Sequence, residues 1–393
     1  MKAGNQTLLK KNNQRAITNY IIENGPISRA DLSKVLKISK PTVSANIAEL
    51  LEMNLLQEIG YGEIDIGKKP MLIDFNRNFQ YVLAFDFISF YTKNIVSVAL
   101  CNLYCEIIFN EMVHLGEDFS KETMYEQFPK ELQNILAKYN ISTDRIGIFV
   151  LTAPTIAYDD KHLRFECGNG DIINLAEIFL TNFPNKIVVK NDINLAALGE
   201  KYFGVGKEAN NLMFVWAGVA VGGGIILNSQ LYEGSHNYGG ELANTTLYDE
   251  MKGKYVFLKD FLSYEGIHEY IEFNKEDAQK SMIADKLFSR KLSLDALITA
   301  AQTGDEFCVN YAKFIAKKVS STVCNIAFTL DLDMIIIGGE FSRFGHIFID
   351  EFVKIFERID FNKTEVKTPM YSNSAMYGAF KCGIDYIINN LIS

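Results

Sequence analysis

The sequence predicts a small winged helix-turn-helix module followed by an α/β body of two lobes around a cleft. Three observations carry that expectation. Residues 1–55 hold eight Lys or Arg against four Asp or Glu, in a chain of net charge −9. The remainder is left with 31 basic and 44 acidic side chains, so a basic module precedes an acidic body. Within the basic part, two helical patterns flank a tight turn and two strand patterns follow, while from residue 81 strands alternate with helices in two similar halves.

In the module, Ala16, Ile17, Tyr20 and Ile21 recur at helical spacing, and Gly25-Pro26 ends that helix. Ser28 is placed to cap a second helix containing Ala30, Leu32, Val35 and Leu36. A four-residue turn, 37–40, leads to a third helix with Ser39 as cap, Pro41 in its first turn, and Val43, Ile47, Leu50 and Leu51 as its buried stripe. Lys40, Thr42, Ser44 and Asn46 are then left facing outward, short or cationic side chains that reach base edges and phosphates in a major groove. Strands are expected over 55–59 and 71–75. Between them, Gly67-Lys68-Lys69-Pro70 makes a two-cation turn suited to phosphate contact. With Arg29 at the start of the second helix, the expected DNA contacts are Arg29, Lys40, Thr42, Ser44, Asn46, Lys68 and Lys69. A three-helix bundle and hairpin used for protein contacts fits the same pattern, but the basic balance and the Lys-Lys tip favour double-stranded DNA.

The chain's 393 residues, 48% of them hydrophobic and 22% charged, suit two or three domains with substantial cores and exclude a disordered protein. The six cysteines have neither a disulfide rhythm nor a C-x-x-C spacing and read as reduced, mostly buried thiols of a cytoplasmic protein. The start lacks the apolar core of a signal peptide, and the longest apolar run, 213–227, is broken by glycines, so no membrane segment is expected. The five histidines show no metal-ligand spacing. Strands are expected over 81–87, 94–104, 106–115, 145–152, 187–189, 212–219, 223–227 and 334–338. The longest helices are expected over 125–139, from 192 onward, within 256–331 and over 375–391.

The organising stretch of the body is KNDINLAALGE, 190–200. Asn191 and Asp192 fall where a strand turns into a helix, the place where an open α/β sheet presents its ligand crevice. Asp192 there can accept a proton, bind a sugar hydroxyl or cap the helix.

With these residues in view, the chain resembles the ROK family of sugar-responsive repressors and sugar kinases over essentially its whole length. The resemblance rests on ISRADLSKVLKISKPTVSANIAELLEMNLL with GKKP, on NDINLAALGE, on VGGGIILNSQLYEG with GGELAN, and on IIIGGEFS. It implies an actin/sugar-kinase-like body of two ribonuclease-H-like lobes, the last helix packing on the first. The division it implies is a winged helix-turn-helix over 1–76 and an effector-binding and dimerisation body over 77–393. The body's first lobe would span about 77–195 with the helix 375–393, and its second about 196–374.

The kinase features implied by the resemblance are degraded. A first phosphate turn of the Asp-Ile-Gly-Gly-Thr kind reads Asp86-Phe87-Ile88-Ser89-Phe90, with Ile88 at a glycine position and Phe90 replacing a hydroxyl. The second reads Gly218-Val219-Ala220-Val221-Gly222-Gly223-Gly224, where Val219 removes a hydroxyl and Ala220 a glycine; its surviving glycines suit a tight strand turn. Gly338-Gly339 survives, but Glu340 adds negative charge where an anionic ligand would lie. The family's zinc cysteines have no counterpart in KGKYVFLK, 252–259, and Asn244 stands in place of the zinc histidine, so that tetrahedral site is absent.

The sugar pocket implied by the resemblance is partly kept. Asn191, Asp192 and Glu241 match sugar contacts, Asn169 lies near another, and Lys259 replaces a sugar-binding Glu. Lys259 would select a carboxylate or phosphate on the ligand, or else pair with Glu241 or Asp192 and close the pocket. The expected effector set is Asn191, Asp192, Glu241, Asn244, Lys259 and Asn169. The chain is therefore expected to be a repressor rather than an enzyme, binding operator DNA as a homodimer and sensing a carbohydrate-like molecule, with no cofactor. A sugar kinase carrying a DNA module, and a regulator controlled by a protein partner instead of a small molecule, are the alternatives.

Overall fold

The structure, a computed structural model, describes residues 2–62, 69–87, 95–115, 122–153, 164–166, 172–183, 186–289, 292–358 and 363–391. The first helix, Lys2–Asn24, is longer than its apolar stripe predicts. Lys10 and Gln14, in its polar part, bond Glu49 of the third helix at 2.7 and 3.0 Å and extend the contact between the two. Ser28 Oγ accepts the Asp31 amide at 3.1 Å and starts the helix Arg29–Leu36. Lys37, in the left-handed region, ends it. The turn is shorter than expected, 37–39, because Lys40 already belongs to the helix Lys40–Glu52, capped by Ser39. Leu32, Val43, Ile47 and Leu50 are buried with Ile17 and Ile21, and Leu51 is half-buried. Met71–Phe75 pairs antiparallel with both Ile27–Ser28 and Leu56–Tyr61, making the three-stranded sheet of a winged helix.

Each half of the body holds a five-stranded sheet of the same topology. The first contains β1 (Tyr81–Asp86), β2 (Ile95–Cys101), β3 (Ile107–His114), β4 (Ile146–Ala153) and β5 (Lys186–Asn191), in the order β5-β4-β1-β2-β3. The second contains β6 (Leu212–Ala217), β7 (Val221–Leu227), β8 (Gln230–Leu231), β9 (Met334–Gly338) and β10 (Glu365–Lys367), in the order β10-β9-β6-β7-β8. In both, the first three strands run antiparallel and the last two join parallel to the first through helical crossovers. The repeat is the ribonuclease-H-like pair expected from the sequence.

The period-two alternation of these strands builds a layered body. From β1, Leu83 and Phe85 join a cluster with Phe128, Phe149 and Phe179 under the helices Phe128–Lys138 and Leu175–Asn182. Val82 and Ala84 point the other way, into a cluster shared with Leu195, Ala197, Ala379 and Phe380. From the second sheet, Phe214 and Ile336 enter that same cluster, while Met213, Val215 and Ile337 pack with the long helix Glu306–Leu330. Two helices, Asp192–Tyr202 and Ser374–Leu391, are thus sandwiched between the sheets. They cross closely: a Cβ on Gly199 would overlap the Ser374 carbonyl, and one on Gly378 the Leu195 carbonyl.

One pair of strands lies where no element is expected, just ahead of the helical region 256–331. Thr246–Asp249 and Lys254–Phe257 form a separate antiparallel hairpin, favoured by the β-propensity of Tyr248, Tyr255, Val256 and Phe257. Gly222, Gly223 and Gly224 lie in the body of β7 and not at a turn. A Cβ on Gly222 would press on Ile193 and one on Gly224 on Ala197, so these glycines admit the central helix against the sheet.

Gly378→Ala is expected to force these helices apart and to destabilise the fold by about 2–4 kcal/mol. Chemical denaturation measures the loss, and an exposed control, Asn325→Ala, is expected to stay within about 0.5 kcal/mol of the parent.

Candidate functional site

The candidate DNA surface is the outer face of the helix Lys40–Glu52 with the wing. Lys40, Pro41, Ser44, Ala45 and Ala48 are exposed and Thr42 is half-buried, its hydroxyl 2.8 Å from Ser39 Oγ. Asn46 does not face outward as expected. It is buried, and its Nδ2 donates to the Thr42 carbonyl at 2.7 Å, because the stripe of Val43, Ile47 and Leu50 is wide enough to include it. Arg29 is held at 2.9 Å by Glu58 on the wing strand Leu56–Tyr61. Lys69 is exposed at the wing, while Lys68 lies outside the described residues.

The second candidate site is the cleft at the start of the central helix. Asn191, not Asp192, does most of the capping: its Oδ1 accepts the amides of Ile193 and Asn194, each at 3.0 Å. Asp192 is 8% exposed and accepts only the neighbouring Ile193 amide, at 2.8 Å, among the described residues. Burial, with Asp86 and Glu241 adding repulsion, pushes its carboxyl up to about 6. Asp86 ends β1 and is tied down by the Thr152 hydroxyl at 3.0 Å and the Asn373 amide at 2.7 Å. A cavity of about 590 Å³ opens beside these carboxylates and is also bordered by Trp216, Glu340, Arg343 and Tyr371.

Glu340 lines that cavity. Its carboxylate lies against Gly218, where a Cβ would overlap Oε2, and takes a hydrogen bond from the Trp216 indole. Oε2 is buried with no hydrogen-bond partner among the described residues, and burial holds the carboxyl above its ordinary range. Of the first phosphate turn, Ile88, Ser89 and Phe90 lie outside the described residues.

The remaining expected effector residues do not line that cavity. The Gly223 amide donates to the Gly240 carbonyl at 2.8 Å and so lays the loop carrying Glu241 across β7. Glu241 is half-buried, with its carboxyl raised by burial. Asn244 ends the next short turn and accepts the Lys259 ammonium at 3.2 Å. Lys259 therefore meets Asn244 rather than the Glu241 or Asp192 carboxylate expected as one alternative. It borders a separate pocket of about 450 Å³ with Val219, Lys252 and Ser263. Asn169 lies outside the described residues. Among the described residues, no cluster of His, Cys, Asp and Glu could hold a metal ion.

Sequence reasoning did not single out Trp216, Arg343, Tyr371 or Asn373 as cleft residues. Asn373 and Tyr371 come from one loop late in the chain, and only the fold brings them to the cavity that Asp86 borders.

 Asn373 stands 287 positions from Asp86 along the chain, and no sequence motif links the two.

A winged helix joined to a two-lobed body with a carboxylate-lined cleft is the architecture of a DNA-binding transcriptional regulator. Residues 94–382 match the ROK family and residues 11–57 a winged helix-turn-helix DNA-binding family, and the chain belongs to the ROK family. It is 27% identical over 383 residues to a xylose repressor of Caldicellulosiruptor bescii, covering 91% of this chain and 90% of that protein. A xylose repressor of Bacillus spizizenii is 30% identical over 248 residues, 63% of each chain. The crystal structure of a ROK family transcriptional regulator, described as a homolog of the E. coli MLC protein, superposes with a TM-score of 0.77 at 18% identity, covering 98% of both chains.

The raised carboxyl of Asp192 has a stability consequence. Its folded-state value lies above the unfolded 3.8, so stability falls as pH rises from about 4 to about 6 and is level above that. Asp192→Asn removes the penalty. At about pH 7.5 the variant is expected to gain up to about 3 kcal/mol, and below about pH 4 the gain vanishes. Denaturation series at both pH values measure it; an equal effect at the two would contradict the burial argument.

Proposed function

We propose that this regulator is a repressor that binds operator DNA as a homodimer and senses a sugar or sugar derivative in its cleft without phosphorylating it. The observation that carries the second half is Glu340. A carboxylate packed on Gly218 occupies the place where small residues and backbone N–H groups would have to meet a phosphate, and it repels one. The xylose repressors it resembles support a sugar-like effector, and the buried Asp192 with Asn191 and Glu241 supplies hydroxyl-binding groups on the cleft side of the central helix. Asn169, Asn244 and Lys259 complete the proposed effector set. A homodimer follows from the reach of one recognition helix and wing, which cover only a few base pairs.

Arg29, Lys40, Thr42, Ser44, Lys68 and Lys69 are the proposed DNA contacts. Thr42 and Ser44 read base edges; Lys40, Lys68 and Lys69 contact phosphates. Arg29 exchanges Glu58 for a phosphate on binding. Asn46 supports the helix from within.

Three experiments test this reading. A coupled ADP-release assay over hexoses, pentoses and amino sugars is expected to show no turnover, while the same panel in thermal-shift measurements yields at least one stabilising ligand whose effect is lost in Asp192→Asn. Turnover that requires Asp192 would establish the kinase instead. In gel shifts on the upstream DNA, Lys40→Ala and Lys69→Ala are each expected to weaken specific and random duplexes about equally and to lower the salt slope by about 1.

A further inference from the structure

The DNA module is joined to the body through residues 76–80, between the wing strand Met71–Phe75 and β1. A stretch of that length spans up to about 17 Å, enough for the module to pivot if nothing held it. It is held from both ends. On the module side, the Leu55 and Asn54 carbonyls accept the backbone and side-chain amides of Asn76, each at 2.9 Å. On the body side, the 102–106 turn that connects β2 to β3 grips the same stretch. The Leu103 amide donates to the Arg77 carbonyl at 2.9 Å, and Asn102 Nδ2 donates to Asn78 Oδ1 at 3.2 Å. Asn102 also shapes the turn, accepting the amides of Tyr104 and Glu106, each at 3.0 Å.

Tyr104 sits where the turn meets the module. Its ring packs on Phe75 of the wing strand with centroids 6.2 Å apart, and the Arg77 guanidinium lies 4.8 Å from the ring centre. Its hydroxyl donates at 3.3 Å to the buried Asp74, whose same oxygen accepts the Phe75 amide at 2.9 Å. Burial, and then the Asp74 charge, push the phenol up to about 12, so it keeps its proton and goes on donating at neutral pH. Arg77 reaches Glu106 of the turn at 2.6 Å and Asp74 of the wing strand at 4.0 Å. The Arg77 and Glu106 side chains are 39% and 53% exposed, so their ion pair by itself contributes little. The restraint comes from the ring and from Leu103, which is buried in the same apolar cluster as Phe75 and Leu55.

We propose that Tyr104, supported by Arg77, is a positioning residue for operator recognition: packed against both the wing strand and the linker, its ring sets the angle of the DNA module on the body and so the half-site spacing that a dimer accepts. The inference rests on the reading of this protein as a dimeric, operator-binding repressor. Tyr104 belongs to the body and acts on DNA only through the module. In a dimer, two recognition helices held rigidly meet the major groove at one separation and one helical phase. Two base pairs added to the spacer turn one half-site by about 70° relative to the other, a change that pivoting modules can follow and fixed ones cannot.

The test uses the full-length protein and duplexes that it selects from a random-sequence library, remade with the spacer between half-sites lengthened or shortened by about two base pairs. The parent is expected to lose at least about tenfold in affinity on either change. Tyr104→Ala is expected to lose less than about threefold, while its affinity for a duplex carrying one half-site stays within about twofold of the parent's. Arg77→Ala, which leaves the apolar cluster untouched, is expected to shift in the same direction. Tyr104→Phe keeps the ring contacts and is expected to keep the parent's selectivity. Loss of stability alone would weaken binding to every duplex alike and leave the spacer preference intact. Amide exchange reads the joint without DNA: the Leu103 N–H is expected to exchange at least about tenfold faster in Tyr104→Ala, with the central helix unchanged. A parent that tolerates both altered spacers, or alanine variants as selective as the parent, would overturn the proposal and leave the dimeric reading standing. Selection of a lone half-site would overturn both.

Discussion

The central helix Asp192–Tyr202 can lie between two sheets only because its backbone meets that of the C-terminal helix without side chains in between. Gly199 and Gly378 make that contact, and Glu200 beside them locks it. Its buried carboxylate accepts the amides of Val205 and Met370 at 3.0 Å and the Ser374 hydroxyl at 2.6 Å. A carboxylate so far from water is tolerated only with this many donors. The same bonds fix the loop that leads into the C-terminal helix, and that loop delivers Asn373 to Asp86 and Tyr371 to the cavity wall. The cleft therefore inherits its shape from a helix crossing that no cleft residue makes directly.

The position of that helix also couples the two ends of the molecule. Its first residue, Asp192, borders the cleft; its flank packs with Ala375, Ala379 and Phe380 of the C-terminal helix. The same apolar cluster continues through Cys101 and Leu103 to Phe75 and the core of the DNA module. A ligand that changes the separation of the sheets must move the helices between them, and those helices share the apolar cluster that reaches the DNA module. Allosteric control in such a body requires two arrangements of this sandwich with different ligand affinities.

Much of the module and most of the strands were legible in the sequence, because alternation and capping are local. Ser28 and Ser39 cap as expected, and the strand after Gly67-Lys68-Lys69-Pro70 begins at Met71 as expected. Asn46 was misread because its position on the edge of the apolar stripe leaves its burial to the packing of its neighbours. The role of Lys259 was also out of reach. A lysine near two carboxylates suggests an ion pair, yet the hairpin 246–257, unseen in the sequence, presents Asn244 to it first.

The sequence by itself determined the division into a basic module and an acidic body, the strand-to-helix turn at Asp192, and the loss of glycines and hydroxyls from the phosphate turns. These are properties of residue type at fixed spacing, and short-range sterics and charge decide them. Tertiary structure alone decided that Asn191 takes the cap, leaving Asp192 buried near Asp86, and that Glu340 closes on Gly218. The pairing of Glu200 with the 370–374 loop was likewise a tertiary matter. Each of these depends on groups far apart in the chain, and their energies come from desolvation, which is set only when the two sheets and the helices between them have closed.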